Sequence, residues 1–291
     1  MEIPDSFGRP GCLGLCVEVR IDFCPGNGRS MEFSSTYKNW RGTVLLWDEQ
    51  AIFLGLAGDA SLHESPAIKV CVALEGNFGL RTSAGETFTN YKSAIISAGQ
   101  PHAIDGRHYK MAMLLLVPET QLAQPLAPFC RKGITRLADS VVAEIRTLFA
   151  DFDERLKTRE SLENICYQMV AALGGGDALP MDSRVAQSIQ WIRSSRDEGI
   201  SVQEIAAGLE LSESRFSHLF TENVRIPVRR YLLWLRLRDA MHVLAQGKSL
   251  TETAHETGFS DSAHLTRTFR GLLGIAPSAL IKESSLVSFL R

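Results

Sequence analysis

The chain has 291 residues, enough for two domains that each bury a core, and its 45% hydrophobic and 22% charged residues are the balance of a folded globular protein. No uninterrupted apolar run approaches the roughly 18 residues that a membrane-spanning helix needs, and acidic Glu2 and Asp5 stand where a secretory signal would carry basic residues. A cytoplasmic protein that does not enter the membrane is expected. The formal charge of −2 averages two unlike parts: 14 Lys and Arg against 11 Asp and Glu from Ser183 onward, and 17 against 22 before it. Only the C-terminal part has the sign that a phosphate-binding surface needs.

Along the chain, residues 1–38 are rich in Gly and Pro without sustained periodicity, and a weakly ordered arm is expected there. From 39 to 118 the pattern is short apolar or alternating runs. Thr43 to Trp47, Ile52 to Leu56, Ile68 to Leu74, Asn77 to Thr82, Ser93 to Ser97 and Met111 to Val117 read as strands, and glycines punctuate them. Many short strands at this spacing predict a small sandwich or barrel. Helical spacing replaces this pattern after Pro118, over Ile134 to Phe152 and Arg159 to Leu173, with Val141, Ile145, Leu148 and Phe152 on one face. The segment 119–173 is expected either to dimerise or to pack on the strands. Gly174 to Gly176 and Pro180 mark a linker over 174–182, and the chain from 183 reads as helical. The six cysteines, Cys12, Cys16, Cys24, Cys71, Cys130 and Cys166, are expected to be free thiols.

The C-terminal part contains one unit twice, from Glu204 to Phe220 and from Glu252 to Phe269. Glu204 matches Glu252, Ala206 matches Ala254, Leu211 matches Phe259 and Ser212 matches Ser260. One extra residue then brings Phe216 onto Leu265, His218 onto Arg267 and Phe220 onto Phe269. Each unit reads as helix, turn, helix. Ser201 and Thr251 can cap the first helices, with Glu204 completing a capping box. Ser212 and Ser260 stand where the second helices start, each followed by an acidic residue that suits the helix dipole. Between the units Pro227 opens a long helix to Gln246, with Tyr231, Trp234, Leu235, Leu237, Met241 and Leu244 inside and Arg229, Arg230, Arg236 and Arg238 mainly outside. Two groove readers on such a spacer suit major-groove segments about one turn (~34 Å) apart.

These residues resemble a known family. The region from about Ser183 to Lys282 is similar to the DNA-binding domain of the AraC/XylS regulators of bacteria, on Ile205-Ala206, Leu211-Ser212, Leu219-Phe220, Arg236 to Ala240, Thr253-Ala254, Gly258-Phe259-Ser260, Thr266-Arg267, Phe269-Arg270 and Gly274 to Pro277. It departs from the family at Arg225, where a Gly is usual, and at Ile281, where a basic residue is common. The positions left outside the apolar stripe are Ser214, Arg215, Ser217 and His218 on the first second-helix, and Ser262, Ala263, His264, Thr266 and Arg267 on the other. The resemblance implies that DNA contacts come from this set, and Arg267 suits bidentate bonding to guanine.

The strand-rich segment ending in Gly99, Gln100, Pro101 and His102 resembles a cupin-like barrel, which many members of the family carry ahead of the DNA-binding domain. The candidates for an effector pocket are His63, Glu75 and His102. Metal-bearing cupins carry His-x-His where this chain has His63-Glu-Ser65, so no metal and no cofactor are assigned. The sequence therefore predicts an α+β protein: a cupin-like barrel over 39–118, helices over 119–173, the linker, and an all-α domain over 183–285 with two helix-turn-helix units. The partners implied are double-stranded DNA, RNA polymerase, a small-molecule effector and a second copy in a homodimer. The alternatives are a cupin-type metalloenzyme, or an effector-independent regulator that uses the barrel only for assembly. A complete catalytic set is missing, which favours a regulator over an enzyme.

Overall fold

The structure is a computed structural model that describes residues 17–19, 40–47, 50–129, 133–150, 159–174, 180–195 and 200–277. The arm over 1–38 lies outside the described residues except for one short strand. Most of the linker, four of the six cysteines, Phe152 and Ile281 also lie outside them. Cys71 and Cys166 are buried free thiols.

Two antiparallel sheets make up the N-terminal part. The first has seven strands, β1 (Val17–Val19), β2 (Arg41–Trp47), β3 (Gln50–Leu56), β5 (Ile68–Ala73), β8 (Ser93–Ile96), β10 (Lys110–Leu116) and β11 (Ile134–Thr135), in the order β1-β2-β3-β10-β5-β8-β11. The second has four, β4 (Ala60–Glu64), β6 (Phe78–Arg81), β7 (Thr89–Tyr91) and β9 (Pro101–Asp105), in the order β4-β9-β6-β7. No ladder among the described residues joins the sheets, so they face each other as separate layers where a closed barrel was expected.

β5 shows why its sequence is a continuous apolar run rather than an alternating one. Val70 and Val72 face the helical layer, while Cys71 and Ala73 face the second sheet and pack with Phe78, Leu80 and Ile104. A strand covered on both faces needs apolar residues at every position. Lys69 shares the inter-sheet side with Cys71 and is buried nevertheless.

A 3₁₀ turn, Gln124–Phe129, and the helices α1 (Asp139–Ala150) and α2 (Arg159–Ala172) follow the sheets. Ile134 and Thr135, expected in a helix, instead pair with Ile96 and Ile95 of β8. The buried residues of α1 are Val142, Ile145 and Phe149, one position later than the expected face except at Ile145. With Leu162, Cys166 and Met169 of α2 they cover Val70 and Val72, so this apolar stripe is spent on the sheet.

Six helices complete the chain: α3 (Ser183–Ser194), α4 (Val202–Gly208), α5 (Glu213–Val224), α6 (Val228–Ala245), α7 (Leu250–Glu256) and α8 (Ser262–Leu273). Their core continues that of the sheet and helix layer without a break. No helix among the described residues is long and apolar enough to cross a membrane. In α6, Arg229 and Arg236 are exposed, but Arg238 is only 3% exposed, contrary to the outward position expected for it. The physical reason is that α6 is central and packs against α5, α7 and α8, leaving a narrow solvent face.

Candidate nucleic-acid interface

The two helix pairs α4–α5 and α7–α8 are built by the same local chemistry. The Ser201 hydroxyl accepts from the Glu204 amide at 3.2 Å, and the Glu204 carboxylate accepts from the Ser201 amide at 2.7 Å. In the second pair Ser249 and Glu252 repeat this box at 3.2 and 2.9 Å, so the cap is Ser249 and not Thr251. Each pair then turns through one residue with positive φ, Glu210 (56°) in the first and Gly258 (71°) in the second. Immediately after it, the Leu211 amide donates to the Ala206 carbonyl and the Phe259 amide to the Ala254 carbonyl, both at 2.9 Å.

The second helices are capped by different residues. Ser212 caps α5, accepting from the Arg215 amide at 3.2 Å. α8 is capped by Asp261, which accepts from the His264 amide at 2.6 Å, where Ser260 was expected. The extra residue of the second unit moves the cap one position on. That bond holds the Asp261 carboxyl below the usual carboxylate range. At their far ends both helices stop on a left-handed residue, Arg225 (φ 68°) and Gly274 (φ 76°). Arg225, the departure from the family noted above, adopts the conformation that glycine favours.

The cores of the pairs are Ile205, Ala206, Phe216, Leu219 and Phe220, and Ala254, Phe259, Leu265, Phe269 and Leu272, all buried. The Phe220 ring packs at a tilt against Tyr231 of α6, with centroids 5.3 Å apart, which fixes the first pair to the long helix. On the opposite faces Ser214, Arg215, His218, Ala263 and Arg267 are exposed, and Ser217, Ser262, His264 and Thr266 are half-buried. Thus none of the nine candidate DNA contacts is used in the core. Several are tied locally: His218 approaches Glu222 at 3.4 Å, Thr266 donates to the Ser262 carbonyl at 2.8 Å, and His264 lies edge-on to Phe259. Arg267 is exposed on α8.

The three candidates for an effector pocket are only partly brought together. His63 on β4 and His102 on β9 are direct cross-strand partners, with ring centroids 4.2 Å apart. Glu75 is exposed and lies beyond the opposite end of β5, roughly 20 Å along the strand from Lys69 by the ordinary rise per residue, so it does not join them. The residue that does join them is Lys69, which sequence reasoning passed over. Its ammonium lies 2.6 Å from His63 Nε2 and 2.9 Å from His102 Nε2. The signal that could have found it is a lysine inside an otherwise unbroken apolar strand.

Backbone contacts set the protonation of this cluster. His63 Nδ1 is 2.7 Å from the Ser61 carbonyl and His102 Nδ1 is 2.7 Å from the Gln100 carbonyl. A carbonyl only accepts, so each Nδ1 carries the proton and each Nε2 offers a lone pair to Lys69. Burial, followed by the Lys69 charge, holds His63 down to about 3 and His102 well below its ordinary value. Burial also brings Lys69 down to about 8.

The two halves of the chain meet beside this cluster. The Ser61 amide and hydroxyl both donate to the Gly274 carbonyl, at 2.9 and 2.8 Å. Arg230 of α6 forms an ion pair with the Glu64 carboxylate and donates to the Glu64 carbonyl at 2.9 Å. Arg193 of α3 reaches buried Glu119 at 3.3 Å. Further along, a cleft of about 730 Å³ separates Ile68, Ala98 and Ala123 from His218, Thr221 and Arg225 around the end of α5.

Residues 205–283 match a helix-turn-helix domain family, in agreement with the two helix pairs and their exposed outer faces. The relatives by sequence are the Msm operon regulatory protein of Streptococcus mutans (30% identical, covering 34% of this chain and 36% of that protein), the arabinose operon regulatory protein of Escherichia coli (28%, covering 40% and 41%) and the transcriptional activator RhaS of Escherichia fergusonii (27%, covering 49% and 55%). The chain spans between about a third and about half the length of these relatives. Among solved structures it is similar to ToxT from Vibrio cholerae, with a TM-score of 0.56 at 10% identity over 81% of this chain and 98% of that one. The class defined by the fold and the outer helix faces is a protein with a C-terminal helix-turn-helix domain. Over residues 205–283 the chain carries a helix-turn-helix domain, and its similarity to the transcription regulators above covers about a third to a half of its length.

Proposed function

We propose that this protein regulates transcription by binding double-stranded DNA through both helix pairs, and that it acts on DNA rather than as an enzyme. The observation that carries the reading is that two pairs with the same capping box and turn hydrogen bond each leave one face of the second helix outside the core. In this reading 183–285 is the DNA-binding domain, 39–118 a cupin-like sensing domain, 119–173 the helical segment and 174–182 the linker. Arg267 reads a guanine from the second pair, together with Ser262, Ala263, His264 and Thr266. The first pair, through Ser214, Arg215, Ser217 and His218, contributes position more than sequence. Mapping of bound genomic sites tests this: discrete sites upstream of genes are expected, and uniform occupancy by folded protein would contradict it.

The same reading includes a small-molecule effector. ToxT has been solved bound to a methylnaphthyl butenoic acid, and an effector of the present chain is proposed to act where the halves meet. In support, the space between the sheets is filled by Phe53, Phe78, Ile104 and Met111, whereas the cleft of about 730 Å³ touches both the sensing domain and α5. An occupant there would favour one placement of the helix pairs by the difference in its affinity for the two. His63 and His102 would couple to that placement from the sensing side. A homodimer is proposed through the outer face of α2 around exposed Tyr167, and contact with RNA polymerase completes the set of partners.

A further inference from the structure

The His63–Lys69–His102 cluster is costly to build. Lys69 is 2% exposed, His63 4% and His102 0%, and none of the groups facing Lys69 is a carboxylate among the described residues. Its ammonium is instead held by two imidazole lone pairs, each available only while its ring is neutral. The cluster lies directly under the contact between the two halves. Gly274, the last turn of α8, sits so close that a Cβ there would collide with the His63 ring, and its carbonyl takes both hydrogen bonds from Ser61. The Ser61 carbonyl in turn accepts from His63.

We propose that this cluster is a proton-sensitive latch: protonation of His63 removes the acceptor that holds Lys69, places two cations in one buried box, and releases the end of α8 from β4. The neighbouring groups cannot neutralise the added charge. On β4, Glu64 is already paired with Arg230 of α6, whose guanidinium adds to the positive field. β5 contributes Lys69 and Cys71, whose thiol is pushed up to about 12 by burial and stays uncharged. β9 contributes His102, and α8 presents Gly274, with Arg270 exposed. Once α8 leaves, His63 regains water and its pKa rises toward the ordinary value of about 6.5. A base whose docked pKa lies below its released pKa favours release on acidification. Docking is therefore complete above about pH 6.5 and weakens about tenfold per pH unit below it for His63 alone, and more steeply if His102 is freed as well. Lys69 adds no slope there, because it is protonated in both states below about pH 8.

Amide hydrogen exchange of the full chain, with rates divided by the intrinsic rate at each pH, reads the latch through the Ser61 amide, which donates to Gly274 only when docked. Between pH 6.5 and 5.5 the protection of the Ser61 amide is expected to fall about fivefold while that of β10 stays constant. His63→Gln is expected to flatten this dependence, and Gly274→Val to remove the protection of the Ser61 amide at every pH. Protection of β4 that is flat with pH in the unmodified chain, or that falls together with β10, would overturn the latch. Histidine ring NMR supplies a check that needs no variant: both rings must be Nδ1–H tautomers at pH 7.5, and an Nε2–H tautomer for His63 would overturn it too. The latch is a property of the two halves themselves, and the regulator reading only gives it a consequence. Genomic mapping tests that reading separately, so either can fail alone.

Discussion

Arg267 and Arg225 show how differently two exposed arginines can matter. Arg267 projects from the outer face of α8 with no core role, so Arg267→Ala should leave stability unchanged and relax preference at one base position, by about 1–3 kcal/mol of discrimination. Binding assays on specific and random duplexes check this, and equal weakening on both would make it a phosphate contact. Arg225 holds φ 68° at the end of α5, a conformation that costs a side-chain-bearing residue about 1 kcal/mol. Arg225→Gly should therefore raise stability by about 0.5–1 kcal/mol in denaturant unfolding. Its strain was readable from sequence, because a glycine is usual at that place. Lys69 carried a signal that went unread: a charge inside an apolar strand looks like an outward position until the second sheet is seen to cover it. Buried Arg238 escaped for the same reason, since its burial depends on helices distant in sequence.

At the scale of elements, the helix pairs follow from their caps and turns. Ser249→Ala should lower stability by about 1 kcal/mol, whereas Thr251→Ala, two residues too late to cap α7, should have little effect in thermal unfolding. In the same assay Asp261→Ala should lower the Tm and Ser260→Ala should not. The Asp261 carboxyl is held below its ordinary value, so its contribution is present above about pH 4 and fades as the pH falls through that region. The repeat made both pairs legible because paired positions keep a constant offset through Ser212 and Ser260. The caps were displaced because local serines and threonines look alike in sequence, and only hydrogen bonding separates them. β4 and β9 went unread because they are short and carry polar residues, and both histidines lie on them. Their pairing is a property of the sheet rather than of either segment.

For the whole molecule, the main consequence is mechanical. α6 has 18 residues, about 27 Å by the rise of an α-helix, and it carries one pair near each end. On the proposed reading such a spacer holds the pairs toward successive major-groove faces of DNA. Gly274 at the end of α8 is also the point held by β4, so the N-terminal half grips the second helix pair itself. The last turn of α5 likewise lines the cleft. On the proposed reading, placement of the helix pairs and state of the N-terminal half are one equilibrium, and a ligand or a proton that acts on the contact would change how the pairs meet DNA. Selection of bound duplexes from a randomised library by the purified chain at pH 7.5 tests whether the two pairs read DNA together. The result expected is an enriched site with two conserved blocks about 10 bp apart, the block read by the second pair losing its guanine preference in Arg267→Ala. Enrichment of no sequence, or of a single block unaffected by Arg267→Ala, would contradict it.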